Sequence, residues 1–314
     1  MMLYIAINVD ANFIMTKTLI SIVGPTAIGK TALSIKLAQY FKTEIISADS
    51  RQFFKEMNIG TAVPSIEEQQ AAKHHFIQHI SIKDSYNVGD FERDAISKII
   101  EIHKKNDVAI MVGGSGLYVK AITKGLDNFP DVDEDIRLEL NQKLKNEGLE
   151  KLQNQLKELD LKAYNTIAID NPQRLIRALE ICIGSGQPYS SFLTNAYKSR
   201  PFNTISIGLN AERPIIYERI NERVDMMVNN GLVAEAKELL PYKHFNALNT
   251  VGYKELFNYF EGEWTLDFAI SEIKKNTRRF AKRQLTWFRK DDTIEWFDYT
   301  CSVEQIIEYI EKKR

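Results

Sequence analysis

The chain has 314 residues, room for one large domain or two modest ones, and its 44% apolar content is ample for a core. A formal net charge of −1 excludes a global field that would select nucleic acid, so any such partner must be met by a local patch. Cys182 and Cys301 lack zinc or redox spacing, which points to a reduced, cytoplasmic compartment, and no apolar run approaches the roughly 20 residues of a membrane span.

Residues 1–14 are mildly apolar but have no basic n-region and no small-residue cleavage site, so they do not read as a signal peptide. Met15-Thr16-Lys17 looks like a natural start, and residues 1–15 are expected to be a poorly ordered extension. Thr18–Val23 is a β-branched run that reads as a buried strand. Gly24-Pro25-Thr26-Ala27-Ile28-Gly29-Lys30-Thr31 follows and fits G-x-x-x-x-G-K-[ST], the phosphate-cradling P-loop. Ala32–Ala38 then has apolar residues at helical spacing. Strand, glycine loop and helix together aim backbone N–H groups and the positive end of a helix at an anion. Gly24 and Gly29 allow the tight turn, Lys30 supplies a point charge, and Thr31 offers its hydroxyl to magnesium. The bland alternative is an ordinary glycine turn. The motif implies polyphosphate binding, not ATP hydrolysis.

Glu44–Ser47 reads as the next strand, ending in Asp49-Ser50-Arg51-Gln52. In open α/β sheets ligands sit beyond the carboxyl ends of strands, which puts Asp49 near the P-loop mouth. A carboxylate there can hold magnesium through water or accept a proton from a substrate; the alternative is a helix N-cap. Asn58–Pro64 is a turn-rich loop. His74, His75 and His79 invite a metal reading, but their spacing suits a loop running into a strand better. An amphipathic helix through His103 carries Ile96, Ile99, Ile100 and His103 along one side. Val108–Val112 is a buried strand running into a second glycine loop, Gly113-Gly114-Ser115-Gly116, which opens a helix with Ser115 at the cleft.

From 128 to 200 strand-like runs vanish. Ile136, Leu140 and Leu144 mark one helix; Leu149, Leu152, Leu156 and Leu159 mark another. Asn171-Pro172 starts a third, which carries Arg174 and Arg177 and ends near Gly184 and Gly186. The fold class is therefore α/β: a P-loop NTPase-like parallel sheet flanked by helices. Residues 1–127 and 201–314 form its core, and 128–200 a small all-helical insertion. Thr204–Leu209 returns to the sheet, and the helix after it puts Arg219 and Arg223 on one face, within reach of the P-loop anion or else in surface ion pairs. Gly231 and Pro241 break the chain, and Asn249–Glu255 forms another glycine turn.

The last long helix, Leu266 to Phe288, tracks Ile270, Ile273, Thr277, Phe280, Gln284 and Trp287 along one face, expected to dock on the core. Lys275, Arg278, Arg279, Lys282 and Arg283 track another, a positive stripe of the kind that meets nucleic-acid phosphates. Of Trp287 and Phe288, at least one is expected in the core.

Taken together, Gly24–Thr31, Asp49–Gln52, Gly60-Thr61-Ala62, Val112–Tyr118, Asn171–Arg174, Arg177–Glu180, Val251-Gly252-Tyr253 and Lys282–Trp287 strongly resemble the bacterial tRNA dimethylallyltransferases, in order from about Thr18 to Asp298. The resemblance implies transfer of a dimethylallyl group from its diphosphate to the exocyclic amine of the adenosine just 3′ of a tRNA anticodon. The P-loop would hold the leaving diphosphate with magnesium. Asp49 would be the base or hydrogen-bond partner at the adenine amine, and Arg223 would assist the diphosphate. Ser115 stands where the family usually has threonine, with the hydroxyl kept. Asp49, Ser50, Arg51, Gln52, Ser115, Arg137 and Gln173-Arg174-Leu175-Ile176-Arg177 would meet tRNA, the insertion acting as a swinging lid. Leu248-Asn249-Thr250-Val251-Gly252-Tyr253 would approach the anticodon stem-loop. The adenine must leave its stack to reach a buried diphosphate, the logic of base flipping.

Three alternatives compete. A P-loop small-molecule kinase does not explain the cationic final helix. A transferase acting on free adenine nucleotides needs no tRNA surface. A nucleotide-dependent RNA-binding switch does not explain the exposed Asp49 carboxylate. A monomer is the default expectation.

Overall fold

The computed structural model describes residues 17–194 and 198–314; the expected 1–15 extension lies outside the described residues, apart from which the chain divides by contact into two compact units. The larger comprises the chain up to Lys124 and from Ser199 onward; the smaller is Gly125–Lys198.

The larger unit opens with β1 (Thr18–Val23), α1 (Lys30–Phe41), β2 (Ile45–Ser47), α2 (Ile66–Ala71), β3 (His74–His75), α3 (Val88–His103), β4 (Val108–Val112) and α4 (Gly116–Thr123). β1, β2 and β4 are buried along their whole length. Such continuous apolar runs, rather than alternation, are what a parallel sheet covered on both faces requires. α3 begins at a reciprocal capping box between Asn87 and Asp90.

The smaller unit holds α5 (Glu134–Glu147), α6 (Leu149–Leu159), α7 (Leu161–Thr166) and α8 (Pro172–Ser185), with no strand among its described residues. Leu140, Leu152, Leu156, Leu175, Ile176 and Leu179 form its core. Glu180 is buried in it and accepts from Arg137 Nε and Nη2 at 3.0 and 2.8 Å and from Arg177 Nη1 at 3.0 Å. A buried carboxylate is tolerable because two guanidiniums neutralise it.

The chain then returns as β5 (Asn203–Asn210), α9 (Arg213–Asn229), α10 (Leu232–Leu239), α11 (Tyr253–Phe260), α12 (Leu266–Phe288), β6 (Ile294–Asp298) and α13 (Val303–Lys313). The sheet order is β3-β2-β4-β1-β5-β6, with every pairing parallel. Apolar clusters cover both faces, and a third gathers around α10 and α11 against α9 and α12. β1 is central, so the loop that leaves it opens at the carboxyl edge with neighbours on both sides.

Several expectations need correction. The histidine stretch runs from a two-residue strand into bends, the reverse of the expected order. His75 Nε2 pairs with Glu44 at 2.6 Å and His74 Nδ1 meets the Ala72 carbonyl at 2.7 Å; no group of three metal-ligating side chains occurs among the described residues. α3 buries Phe91, Ala95, Ile99, Ile102 and His103, so Ile99 and His103 of the expected side face the core, with Ile96 packed at its edge, and only Ile100 turns out to solvent. Leu159 is likewise exposed at the end of α6.

Candidate active site

The P-loop leaves β1 through Gly24, whose φ is +142° and where a Cβ would strike the Leu209 carbonyl, so only glycine lets the loop pass β5 this closely. Ala27 at its apex is held at φ 64°, a strained conformation for a non-glycine residue. Arg219 Nε donates to the Ala27 carbonyl at 2.8 Å and fixes that apex from α9. Lys30 Nζ donates to the Pro25 carbonyl at 2.7 Å.

Asp49 sits beyond β2, in a turn closed by the Arg51 N–H donating to its Oδ1 at 3.1 Å rather than at a helix N-terminus. Its negative charge acts on Lys30, Arg51 and Arg223. Arg223 is half-buried and makes no hydrogen bond or ion pair among the described residues. Burial pushes its guanidinium, like that of Arg51, below the usual range. A guanidinium with unused donors in a desolvated cleft is ready for an anion.

Two compartments meet here. One, of about 1020 Å³, is walled by the P-loop, α9 and the Asn58–Ile66 segment. The other, of about 650 Å³, is walled by the second glycine loop, Asn249–Gly252 and α12. Both include Thr26, Asp49, Thr61, Ala62, Arg223 and Met227. Thus Asp49 and Arg223, far apart in sequence, stand at one junction.

Gln284 locks the two glycine loops together. Its Oε1 accepts from the Thr26 N–H at 2.9 Å, and its Nε2 donates to the Gly114 carbonyl at 3.0 Å. The Ser50 N–H donates to Ser115 Oγ at 3.0 Å, tying the Asp49 turn to the second loop. Ser115 is half-buried and lines the second compartment, where its hydroxyl was expected.

α12 departs from expectation. Ile273, Gln284 and Phe288 are buried, but Phe280 and Trp287 are exposed and line the second compartment instead of docking on the core. The cationic stripe is divided. Lys275 pairs with Glu272, and Arg278 is drawn toward α9, where it donates to Asn221 at 2.7 Å and lies over the Tyr217 ring. Arg279, Lys282 and Arg283 remain exposed, with Arg283 over the Phe280 ring and lining the compartment.

Other residues expected at an RNA surface are engaged within the protein. Leu248 and Tyr253 are fully buried, as are Leu175 and Ile176 in the smaller unit, so these four side chains pack cores rather than face a partner. Arg51 donates to the Asn246 and Ala247 carbonyls at 3.2 and 2.9 Å, and Gln52 Nε2 to the Thr61 and Ala62 carbonyls at 3.3 and 2.9 Å. Gln173 and Arg174 are exposed; Arg137 and Arg177 serve Glu180. Asn249, Thr250, Val251 and Gly252 do line the second compartment. Sequence reasoning missed Glu235 and Met227; Arg219 was expected to reach toward the P-loop, though as an anion ligand rather than a tether to the loop backbone, and Gln284 carried a signal only within the Lys282–Trp287 motif.

Burial pushes the Lys30 ammonium down from its usual 10.5 to about 8; Arg223 acts in the same sense, and Asp49 opposes them. An anion bound beside Lys30 raises that value, so the complex keeps a proton that the free protein loses above pH 8. Affinity for a diphosphate anion is therefore expected to change by no more than about twofold between pH 7 and 8. Above that it falls, by at most about tenfold per pH unit. Titration calorimetry of wild type and Lys30→Met checks this: the variant should bind more weakly and lack the alkaline fall.

A parallel sheet whose central strand feeds a glycine-rich loop and helix, with a second compartment opening at the loop's lip, places the chain in the class of P-loop-like α/β proteins. The description "IPP transferase" belongs to the family model that matches residues 52–291, and the chain is a member of that family. It is 63% identical over 299 residues to the tRNA dimethylallyltransferase of Christiangramia forsetii, covering 95% of this chain and 99% of that one. It is 59% identical over 300 residues to that of Flavobacterium johnsoniae, covering 94% and 97%. Among solved structures, the full-length tRNA isopentenylpyrophosphate transferase from Bacillus halodurans is 39% identical, with a TM-score of 0.71 over 95% of this chain and 96% of that one. A eukaryotic dimethylallyltransferase acting on tRNA is 25% identical, with a TM-score of 0.81 over 95% and 80%.

Proposed function

We propose that the protein transfers a dimethylallyl group from dimethylallyl diphosphate to N6 of the adenosine 3′-adjacent to a tRNA anticodon, releasing diphosphate. The observation that carries this reading is the junction: Asp49 and Arg223 stand where the P-loop compartment meets the second one. The diphosphate occupies the P-loop side and the flipped adenine the other, so the reacting carbon lies between them. N6 attacks C1 of the allyl group, the C1–O bond breaks, and its electron pair leaves on the diphosphate. The N6 proton passes to the Asp49 carboxylate, while Lys30 and Arg223 stabilise the charge that grows on the leaving oxygen.

Magnesium fits the donor set. The Thr31 hydroxyl lines the P-loop compartment and makes no hydrogen bond among the described residues, so it would be the protein oxygen that holds the ion. Magnesium commonly takes one or two protein oxygens and completes its shell with phosphate oxygens and water. When bound, it supplies positive charge to the leaving diphosphate.

Labelled dimethylallyl diphosphate and γ-labelled ATP, offered as alternative donors with magnesium, unmodified tRNA and adenosine monophosphate as a small acceptor, test the reading. Label is expected in RNA only from the prenyl donor; phosphoryl transfer from ATP to a small acceptor would favour the kinase reading.

The exposed Arg279 and Arg283 are the part of α12 that suits an RNA backbone. Arg279→Glu with Arg283→Glu is expected to weaken tRNA binding and to reduce the salt slope by about 2, one unit per lost phosphate contact. Filter binding between low and moderate salt checks it; an unchanged slope would remove α12 from the RNA surface. These cations also argue against a transferase confined to free nucleotides, and no helix among the described residues is long and apolar enough to cross a membrane. A cytoplasmic monomer accords with this reading.

A further inference from the structure

The Asn58–Ala62 loop contributes Thr61 and Ala62 to the junction, yet it has no regular structure of its own. One carboxylate from another part of the chain holds it. Glu235, on α10, accepts the N–H groups of Asn58 and Ile59 on Oε2 at 3.1 and 2.8 Å. Its Oε1 accepts the Gly60 N–H at 2.9 Å and the Tyr253 hydroxyl at 2.6 Å. Four donors on two oxygens fill the acceptor capacity of the group. The Tyr253 ring forms the floor: a Cβ on Gly60 would lie 2.6 Å from it, which is closer than any side chain allows. From the opposite side Gln52 Nε2 holds the Thr61 and Ala62 carbonyls, and Ala62 is kept at φ 51°. A loop gripped from both sides, with a strained residue at the junction, is over-determined, as positioned functional loops are.

The geometry points to Glu235 as a positioning residue for the reaction: through the Asn58–Gly60 N–H groups and Tyr253 it fixes Thr61 and Ala62 as the wall that confines the allyl group and keeps water from its reacting carbon. This rests on the transfer reading above. The Glu235 carboxylate touches neither substrate; it acts through the loop. With the wall loosened, C1 is no longer held in line with N6, and water competes. In that side reaction the C1–O bond breaks with its pair on diphosphate, the water oxygen bonds to C1, and a water proton goes to solvent, giving the allylic alcohol.

The test compares wild type with Glu235→Gln, which keeps the shape but places an NH2 against N–H donors, and with Tyr253→Phe, which keeps the ring and deletes one donor. Labelled dimethylallyl diphosphate is followed into tRNA and into dimethylallyl alcohol, with melting temperature recorded for each protein. Loss of alignment at the reacting carbon is expected to lower kcat by about tenfold or more in Glu235→Gln. KM for tRNA should stay within about twofold, because only ground-state binding would move it. The alcohol should rise as a share of total turnover. Tyr253→Phe should move the same quantities in the same direction by less. A loss of folded protein alone scales both products together and leaves their ratio fixed. An unchanged ratio in both variants therefore overturns the proposal, whatever happens to melting temperature. A wild-type protein that prenylates no RNA overturns the transfer reading itself, a distinct result.

Discussion

Asp49→Asn is expected to lower kcat for dimethylallyl transfer by about 10²–10⁴-fold, the usual worth of a positioned general base. Asparagine keeps the shape of the side chain and an oxygen for the Arg51 N–H, so the turn beyond β2 should survive. It also removes a negative charge facing Lys30, Arg51 and Arg223, all of which feel Asp49. Affinity for the prenyl diphosphate should therefore hold or increase as turnover collapses. A binding role for the carboxylate predicts the opposite pairing: weakened affinity with turnover recovered at saturation. Single-turnover kinetics with separate equilibrium binding of each substrate distinguish the two, and near-wild-type turnover would remove Asp49 from the chemistry.

Arg223→Gln is expected to cost about 10²–10³-fold in kcat, comparable to deleting one preorganised donor at a developing oxyanion. Because the guanidinium has no hydrogen-bond partner among the described residues, its removal leaves no protein group unpaired. The melting temperature should hold or rise slightly, since a desolvated charge disappears. Loss of turnover without loss of stability would identify a side chain kept for its ligand. Arg219, by contrast, is tied to the P-loop backbone, so Arg219→Gln should lower stability and activity together. Stopped-flow turnover alongside thermal unfolding of both variants checks the distinction.

Local signals explain what was legible in the sequence. The P-loop, the β-branched strands and the Asn171-Pro172 helix start each depend on neighbours within a few residues, and all lie where the pattern put them. Helical spacing marks Gln284 only as one more residue on a buried face; its bridge to Thr26 spans 258 positions, and periodicity carries no information about that. Phe280 and Trp287 show a related limit. Helical spacing marks an apolar stripe, but a cleft and a core ask for the same residue types. Their exposure became evident only once α12 was seen to pass along the second compartment. The cationic stripe failed in part for the complementary reason. Arg278 and Lys275 share a sequence pattern with Arg279 and Arg283, yet Asn221 and Glu272 claim them. Glu235 stands in an ordinary amphipathic stretch, and its four donors come from two distant segments. β6 escaped notice because Ile294–Asp298 is a short edge strand with only Ile294 buried; α13 did carry a local signal, the Ser302–Gln305 capping box ahead of Ile306 and Ile310.

On the proposed function, the second compartment serves an adenosine presented by tRNA, not a free nucleotide. The most direct measurement is transfer of radiolabelled dimethylallyl from its diphosphate, with magnesium, to unmodified tRNA and to adenosine monophosphate in parallel. Label in tRNA alone, at the adenosine 3′ of the anticodon, is the predicted result. Label in the mononucleotide at a comparable rate would contradict it and assign the cleft to a free-nucleotide transferase.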